Sequence, residues 1–132
     1  MTQLPITSHF AALLAFMLIA LSAHIIVFRR KYKISLGDGG VKGLHNAIRA
    51  HGNFSEYAPF FIILLGLAEF QNAAPNWLLI ILGSLFLLAR ISHAYSLTKV
   101  ELREGSLDVR FRMFGMVSTF SCISLLAVIL LF

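Results

Sequence analysis

The stretch ITSHFAALLAFMLIALSAHIIVF, Ile6 to Phe28, followed at once by Arg29-Arg30-Lys31, decides the fold. A helix needs about 20 predominantly apolar residues to cross the hydrocarbon core of a bilayer, and this run supplies them. No basic residue precedes it, and the positive charge follows it. That order is the reverse of a cleaved signal peptide and fits a retained first span.

Outward from this run the pattern repeats. A second apolar run extends from about Phe54 to Phe70, a third from Trp77 to Leu97, and a fourth from Met113 to Phe132. A turn with the sequence Gln71-Asn72-Ala73-Ala74-Pro75-Asn76 makes the second and third an antiparallel hairpin. Ser35-Leu36-Gly37-Asp38-Gly39-Gly40 reads as a flexible break, rich in residues that allow positive φ. A helical pattern resumes near Val41, so the second helix starts before its apolar part. The reading is an all-α integral membrane protein, a four-transmembrane-helix bundle of up-down topology. It forms one domain over residues 1–132, with helices at about 6–28, 43–70, 77–97 and 113–132. Within lipid each segment must satisfy its own backbone hydrogen bonds, which selects helices.

Composition agrees. Of the 132 residues, 58% are apolar and 13% charged, where a soluble domain carries about 25% charge. A chain this short has too little interior to hide so much apolar surface, so the excess faces lipid. The net charge of +5 does not indicate nucleic acid, because the basic residues form no aromatic-interleaved face. Most of them lie in two loops instead: Arg29, Arg30, Lys31, Lys33, Lys42 and Arg49 in the first, Lys99, Arg103, Arg110 and Arg112 in the second. The positive-inside rule then puts both long loops in the cytoplasm and both termini outside. The same excess of basic charge predicts association with anionic membrane lipid.

Ionisable residues in a span cost about 2.5–3.5 kcal/mol each at mid-membrane, so their positions are informative. Arg49, Asn53 and Glu56 fall at i, i+4 and i+7 and share one helical stripe. A cation, an amide and a carboxylate on one face suit a zwitterionic, peptide-like ligand; a network that fastens helices together is the other reading of the same spacing. Pro59, one turn on, removes a backbone bond and favours a kink. Arg90 and His93 lie one turn apart near the end of the third run. Arg110 and Arg112 open the fourth, where a positive charge would draw an anion or favour a thiolate. Cys122, the single cysteine, excludes an internal disulfide and reads as a small packed residue. His9, His24 and Glu69 show no metal-ligand spacing, and no metal is assigned.

The segment Arg49-Ala50-His51-Gly52-Asn53-Phe54-Ser55-Glu56-Tyr57-Ala58-Pro59-Phe60 resembles the helix-2 signature of the MAPEG family, the membrane-associated proteins in eicosanoid and glutathione metabolism. Ala89-Arg90-Ile91-Ser92-His93-Ala94 resembles its helix-3 motif. With the four-span plan, the resemblance covers essentially the whole chain, and the glycine loop and short length look most like the small bacterial branch. It implies a homotrimer in a bacterial inner membrane, with glutathione as co-substrate, held between subunits near the cytoplasmic face. Carried over by position, Arg49, Asn53, Glu56 and Tyr57 would bind glutathione from helix 2, Glu56 meeting the ammonium and Arg49 a carboxylate. Arg90 and His93 would contribute from helix 3, and Arg30 or Arg29 from helix 1. Arg112, or else Arg110, would be the catalytic residue that stabilises the thiolate. The implied activity is that of a microsomal-type glutathione transferase or peroxidase, in which an apolar electrophile from the bilayer meets the sulfur. The chain departs from the pattern at Gly52, where some members have a second arginine, and at Leu97, where well-known members have a tyrosine; Tyr95 is out of phase with that position by about 200°.

Two other classes fit less of the sequence. Small multidrug exporters have four helices but tend to carry their glutamate in helix 1, which here has no acid. A trimer that binds glutathione or lipid without turnover shares every feature above, and an assay with an aromatic halide and a hydroperoxide separates it from an enzyme.

Overall fold

The computed structural model describes residues 4–100 and 109–132. These form four helices: α1 (Pro5–Tyr32), α2 (Lys42–Phe70), α3 (Asn76–Tyr95) and α4 (Arg110–Leu131), with a π-helical turn (Ser96–Val100) continuing α3. Arg103, counted above in the second basic loop, lies outside the described residues.

Local chemistry sets the helix ends. Pro5 sits in the first turn of α1, where its missing N–H leaves nothing unpaired. At the other end Lys33 adopts a left-handed conformation (φ 54°) and its amide, with that of Ile34, returns to the Arg29 carbonyl. α1 therefore runs past Phe28 through Arg29, Arg30 and Lys31, three cations at the negative end of the helix dipole. The glycine segment is a built turn rather than a flexible break. Gly37, Gly39 and Gly40 all take positive φ. The Asp38 carboxylate accepts the Gly40 amide at 3.0 Å, and the Asp38 carbonyl accepts the Val41 amide at 2.9 Å.

The side-chain bonds between helices fix the topology. From α1 to α2 they pair Ile6 with Glu69 and Ser22 with His51. From α2 to α3 and its π-helical extension they pair Asn46 with Leu97 and Asn53 with Arg90. From α3 to α4 they pair Cys122 with Leu82 and Ser92 with Phe111. In each set one helix descends as the other climbs, so all consecutive helices are antiparallel. The helix α2 is central and touches every other element, whereas α1 reaches α2 and α3 but not α4 among the described residues. At the centre Phe61 and Phe86 stack with centroids 3.8 Å apart, and Leu65, Leu79 and Leu126 are fully buried.

Three helices are long and apolar enough to cross a membrane: α1, α3 with its π-helical turn, and α4. The helix α2 does not qualify on composition, because its first half carries Arg49, His51, Asn53 and Glu56. At 29 residues it is about 43 Å long, and it runs antiparallel beside both α1 and α3. Its contacts with every other element bury part of this polar half, Asn46 and Asn53 included, where polar groups cost less than against lipid.

The start of α1 has no capping side chain of its own. Glu69, from the far end of α2, supplies one: its two carboxylate oxygens accept the amides of Ile6 at 2.8 Å and Thr7 at 2.7 Å. Charge-assisted bonds of this kind contribute about 1.5–3 kcal/mol. Glu69→Ala is expected to lower the thermal unfolding midpoint in detergent by an amount equivalent to about 2 kcal/mol, while Glu69→Gln, which keeps one acceptor, loses less.

Candidate functional site

Four polar residues of α2 converge on one cavity. It has a volume of about 350 Å³ and opens between α2, the end of α3 and the start of α4. His45, Asn46, Arg49 and Asn53 line it from α2, on the stripe that their spacing generates. His93 and Leu97 form the second wall, and Arg112 and Met116 the third. Two arginines, two imidazoles and two amides around so small a volume give it a chemistry that suits an anion. Among the described residues no carboxylate lines it.

A close approach of helices holds the second and third walls together. A Cβ on Gly115 would stand 2.7 Å from the Ala89 carbonyl oxygen and 2.8 Å from the His93 Cβ. Backbone and Cβ atoms cannot swing aside, so α4 lies on α3 only because residue 115 has no side chain. Gly115→Ala is expected to destabilise the fold by about 1–3 kcal/mol, and to separate His93 from Arg112. Unfolding in detergent would read the first effect and ligand affinity the second.

Arg90 sets the floor behind these walls. It is 2% exposed; one guanidinium nitrogen donates to Asn53 Oδ1 and another to the Gly115 carbonyl at 3.1 Å. Its plane also lies 5.7 Å from the Tyr57 ring centroid and 5.8 Å from that of Phe86. A single side chain thus joins α3 to α2 and α4. Asn53 is oriented by this bond: with its oxygen on Arg90, its amide nitrogen points toward Met116 Sδ at 3.7 Å.

The π-helical turn has a partner of its own. A π turn displaces carbonyls from the regular ladder, and the Leu97 carbonyl accepts a bond from the Asn46 side chain at 2.9 Å. This bond is buried and ties the end of α3 to the first turns of α2, closing the cavity on one side.

The residues selected from sequence fall into three groups. Arg49, Asn53, His93 and Arg112 line the cavity. Arg90 and Tyr57 lie behind it, joined by the cation–ring contact, with Tyr57 edge-on to Phe120. Glu56, Arg30 and Arg110 are exposed and do not line the cavity. Glu56 has no hydrogen-bond or ion-pair partner among the described residues, and Arg30 belongs to α1, which does not touch α4. His45 and Asn46 were not selected, although they stand four and three residues before Arg49. Those spacings place both near the same stripe.

At the mouth of the cavity His45 Nδ1 lies 2.7 Å from Asp38 Oδ2. The Gly40 amide, and after it the His45 ring, hold the Asp38 carboxyl below its usual range. A group with a lowered folded pKa stabilises above its unfolded value and stops doing so as pH falls through the folded one. The turn is therefore expected to loosen progressively below about pH 4, read as faster hydrogen exchange at Gly40 and Val41 with the helices still protected.

The MAPEG family profile matches residues 7–132. The chain is 37% identical over 90 residues to the inner membrane protein YecN of Escherichia coli strain K12, covering 68% of each chain. The protein of the same name from Escherichia coli O6:H1 matches to the same extent.

Proposed function

The chain belongs to the MAPEG family, and from that premise we propose that it binds glutathione in the cationic cavity and activates its thiol for transfer or peroxide chemistry. The observation that carries this reading is the convergence of Arg49, Asn53, His93 and Arg112 on one chamber of about 350 Å³. A cavity bearing two guanidinium groups and, among the described residues, no carboxylate suits a ligand with two carboxylates and an ionisable thiol.

In this reading Arg49 meets a glutathione carboxylate, and Asn53 and His93 offer polar contacts to the peptide. Arg112 lies beside the sulfur, with Arg110 next to it on the exposed side. A free thiol has a pKa of about 8.5 and is mostly protonated at neutral pH; a neighbouring guanidinium favours the nucleophilic anion. Each tenfold gain in thiolate requires about 1.4 kcal/mol. The electrophile is an apolar alkyl or aryl compound arriving from the bilayer, and no protein nucleophile is needed.

Glu56 and Arg30 fit this scheme through a neighbouring copy of the chain. A carboxylate exposed within a membrane helix, and without a partner among the described residues, is costly. In a homotrimer Glu56 could receive the γ-glutamyl ammonium, and Arg30 could reach a site that its own chain keeps behind α2. Arg90 and Tyr57 act in this scheme by holding Asn53 in place. The related YecN is called an inner membrane protein, which supports the same location here; the charge bias of the loops favours basic loops in the cytoplasm and both termini outside.

Calorimetric titration of the detergent-purified protein with glutathione tests the reading. Saturable binding that weakens at least about tenfold in Arg49→Ala is the expected result; no binding by the wild-type chain would overturn it.

A further inference from the structure

We propose that His45 is the proton acceptor for the thiol bound in the cavity, with Asp38 as its positioning residue; this rests on the glutathione reading above. Two observations meet at His45. Its ring lines the cavity, and its Nδ1 is 2.7 Å from Asp38 Oδ2. A carboxylate only accepts hydrogen bonds, so Nδ1 carries the hydrogen and Nε2 of the neutral ring keeps a lone pair. Asp38 is itself fixed, because its other oxygen accepts the Gly40 amide at 3.0 Å. The three positive-φ glycines build the turn that delivers it.

The surrounding charges are mixed. Asp38 meets the ring from the turn side. Arg49 on α2, Arg112 on α4 and His93 on α3 share the cavity with it, and Lys42 lies three residues before it on α2. Guanidinium groups stabilise a thiolate but cannot take its proton, since they are already protonated. Among the described residues lining the cavity only His45 and His93 can accept one, and of these only His45 has a carboxylate to stabilise the resulting cation.

The step balances without another reactant. The S–H bond breaks, the proton goes to His45 Nε2, and the electron pair stays on sulfur beside Arg112. When the sulfur bonds to the carbon of an alkyl or aryl halide, halide leaves with the bonding pair. The imidazolium then returns its proton to water at the exposed mouth, where His45 is 57% accessible.

The test follows the rate at which thiolate absorbance appears after rapid mixing of the full-length detergent-solubilised protein with glutathione. General-base contributions run to about 10²–10⁴-fold. His45→Gln is expected to slow thiolate appearance at saturating glutathione at least about tenfold, and to regain rate when free imidazole is added. Asp38→Asn can keep the Gly40 bond but turns an amide N–H toward His45, which moves the ring hydrogen to Nε2; it should slow the step without imidazole rescue at the same concentration. A His45→Gln rate equal to wild type, or a loss that imidazole does not restore, overturns the proposal while leaving the glutathione reading intact. Failure of the wild-type chain to bind glutathione overturns both.

Discussion

Replacing Arg90 by alanine is expected to lower the stability of the bundle by about 3–5 kcal/mol. Three losses combine. The bonds to Asn53 and to the Gly115 carbonyl disappear, leaving a buried amide oxygen and a buried carbonyl without that donor. A side chain of this volume, 2% exposed, leaves a void between α2, α3 and α4, of the kind that costs about 2–5 kcal/mol when large core residues are truncated. The contacts with Tyr57 and Phe86 go as well. Arg90→Lys should recover only part, because an ammonium lacks the planar fork that reaches two helices at once. Unfolding in mixed micelles reads the effect. A loss below about 1 kcal/mol, the size of an average hydrogen bond within a membrane bundle, would show that Arg90 does not join the helices as described.

Replacing Arg112 by alanine should leave glutathione bound but largely as the thiol, with the conjugation rate down by about 10²–10³-fold. Arg112 is half-buried on the first turn of α4 and lines the cavity opposite Arg49. Removing a preorganised charge from the place where negative charge develops affects the reacting state more than the bound one. The signature is therefore a fall in kcat with a small change in affinity. Arg110→Ala, an exposed position beside it that does not line the cavity, should leave the rate near wild type. A rate lost in Arg110→Ala and kept in Arg112→Ala would exchange the two roles.

The helices were legible in the sequence because lipid leaves a chain few options. Apolar length, Pro5, the basic cluster after Phe28 and the glycines after Ser35 mark most of the boundaries. The pairing of polar groups was less legible. Spacing put Arg49, Asn53 and Glu56 on one stripe, and two of the three do share the cavity. Asn53, however, bonds across to Arg90, a choice set by the register of α3 against α2 that no single-helix spacing contains. Glu56 is about 60° around the helix from Asn53 and almost a turn higher, enough to carry it past the cavity to the outer surface. The central place of α2 was likewise hidden, since composition gives the apolarity of a helix but not which neighbours it touches. His45 could have been found by continuing the stripe one turn before Arg49. Its link to Asp38 could not, because it depends on three glycines taking positive φ.

The central claim is that this cavity holds a glutathione thiolate. Its most direct test is the ultraviolet difference absorbance of the detergent-purified wild-type protein titrated with glutathione near neutral pH, using S-methylglutathione as the reference that cannot ionise. A thiolate band that saturates with glutathione and is absent with the methylated compound is the predicted result. Saturable binding of both compounds with no thiolate band would contradict it.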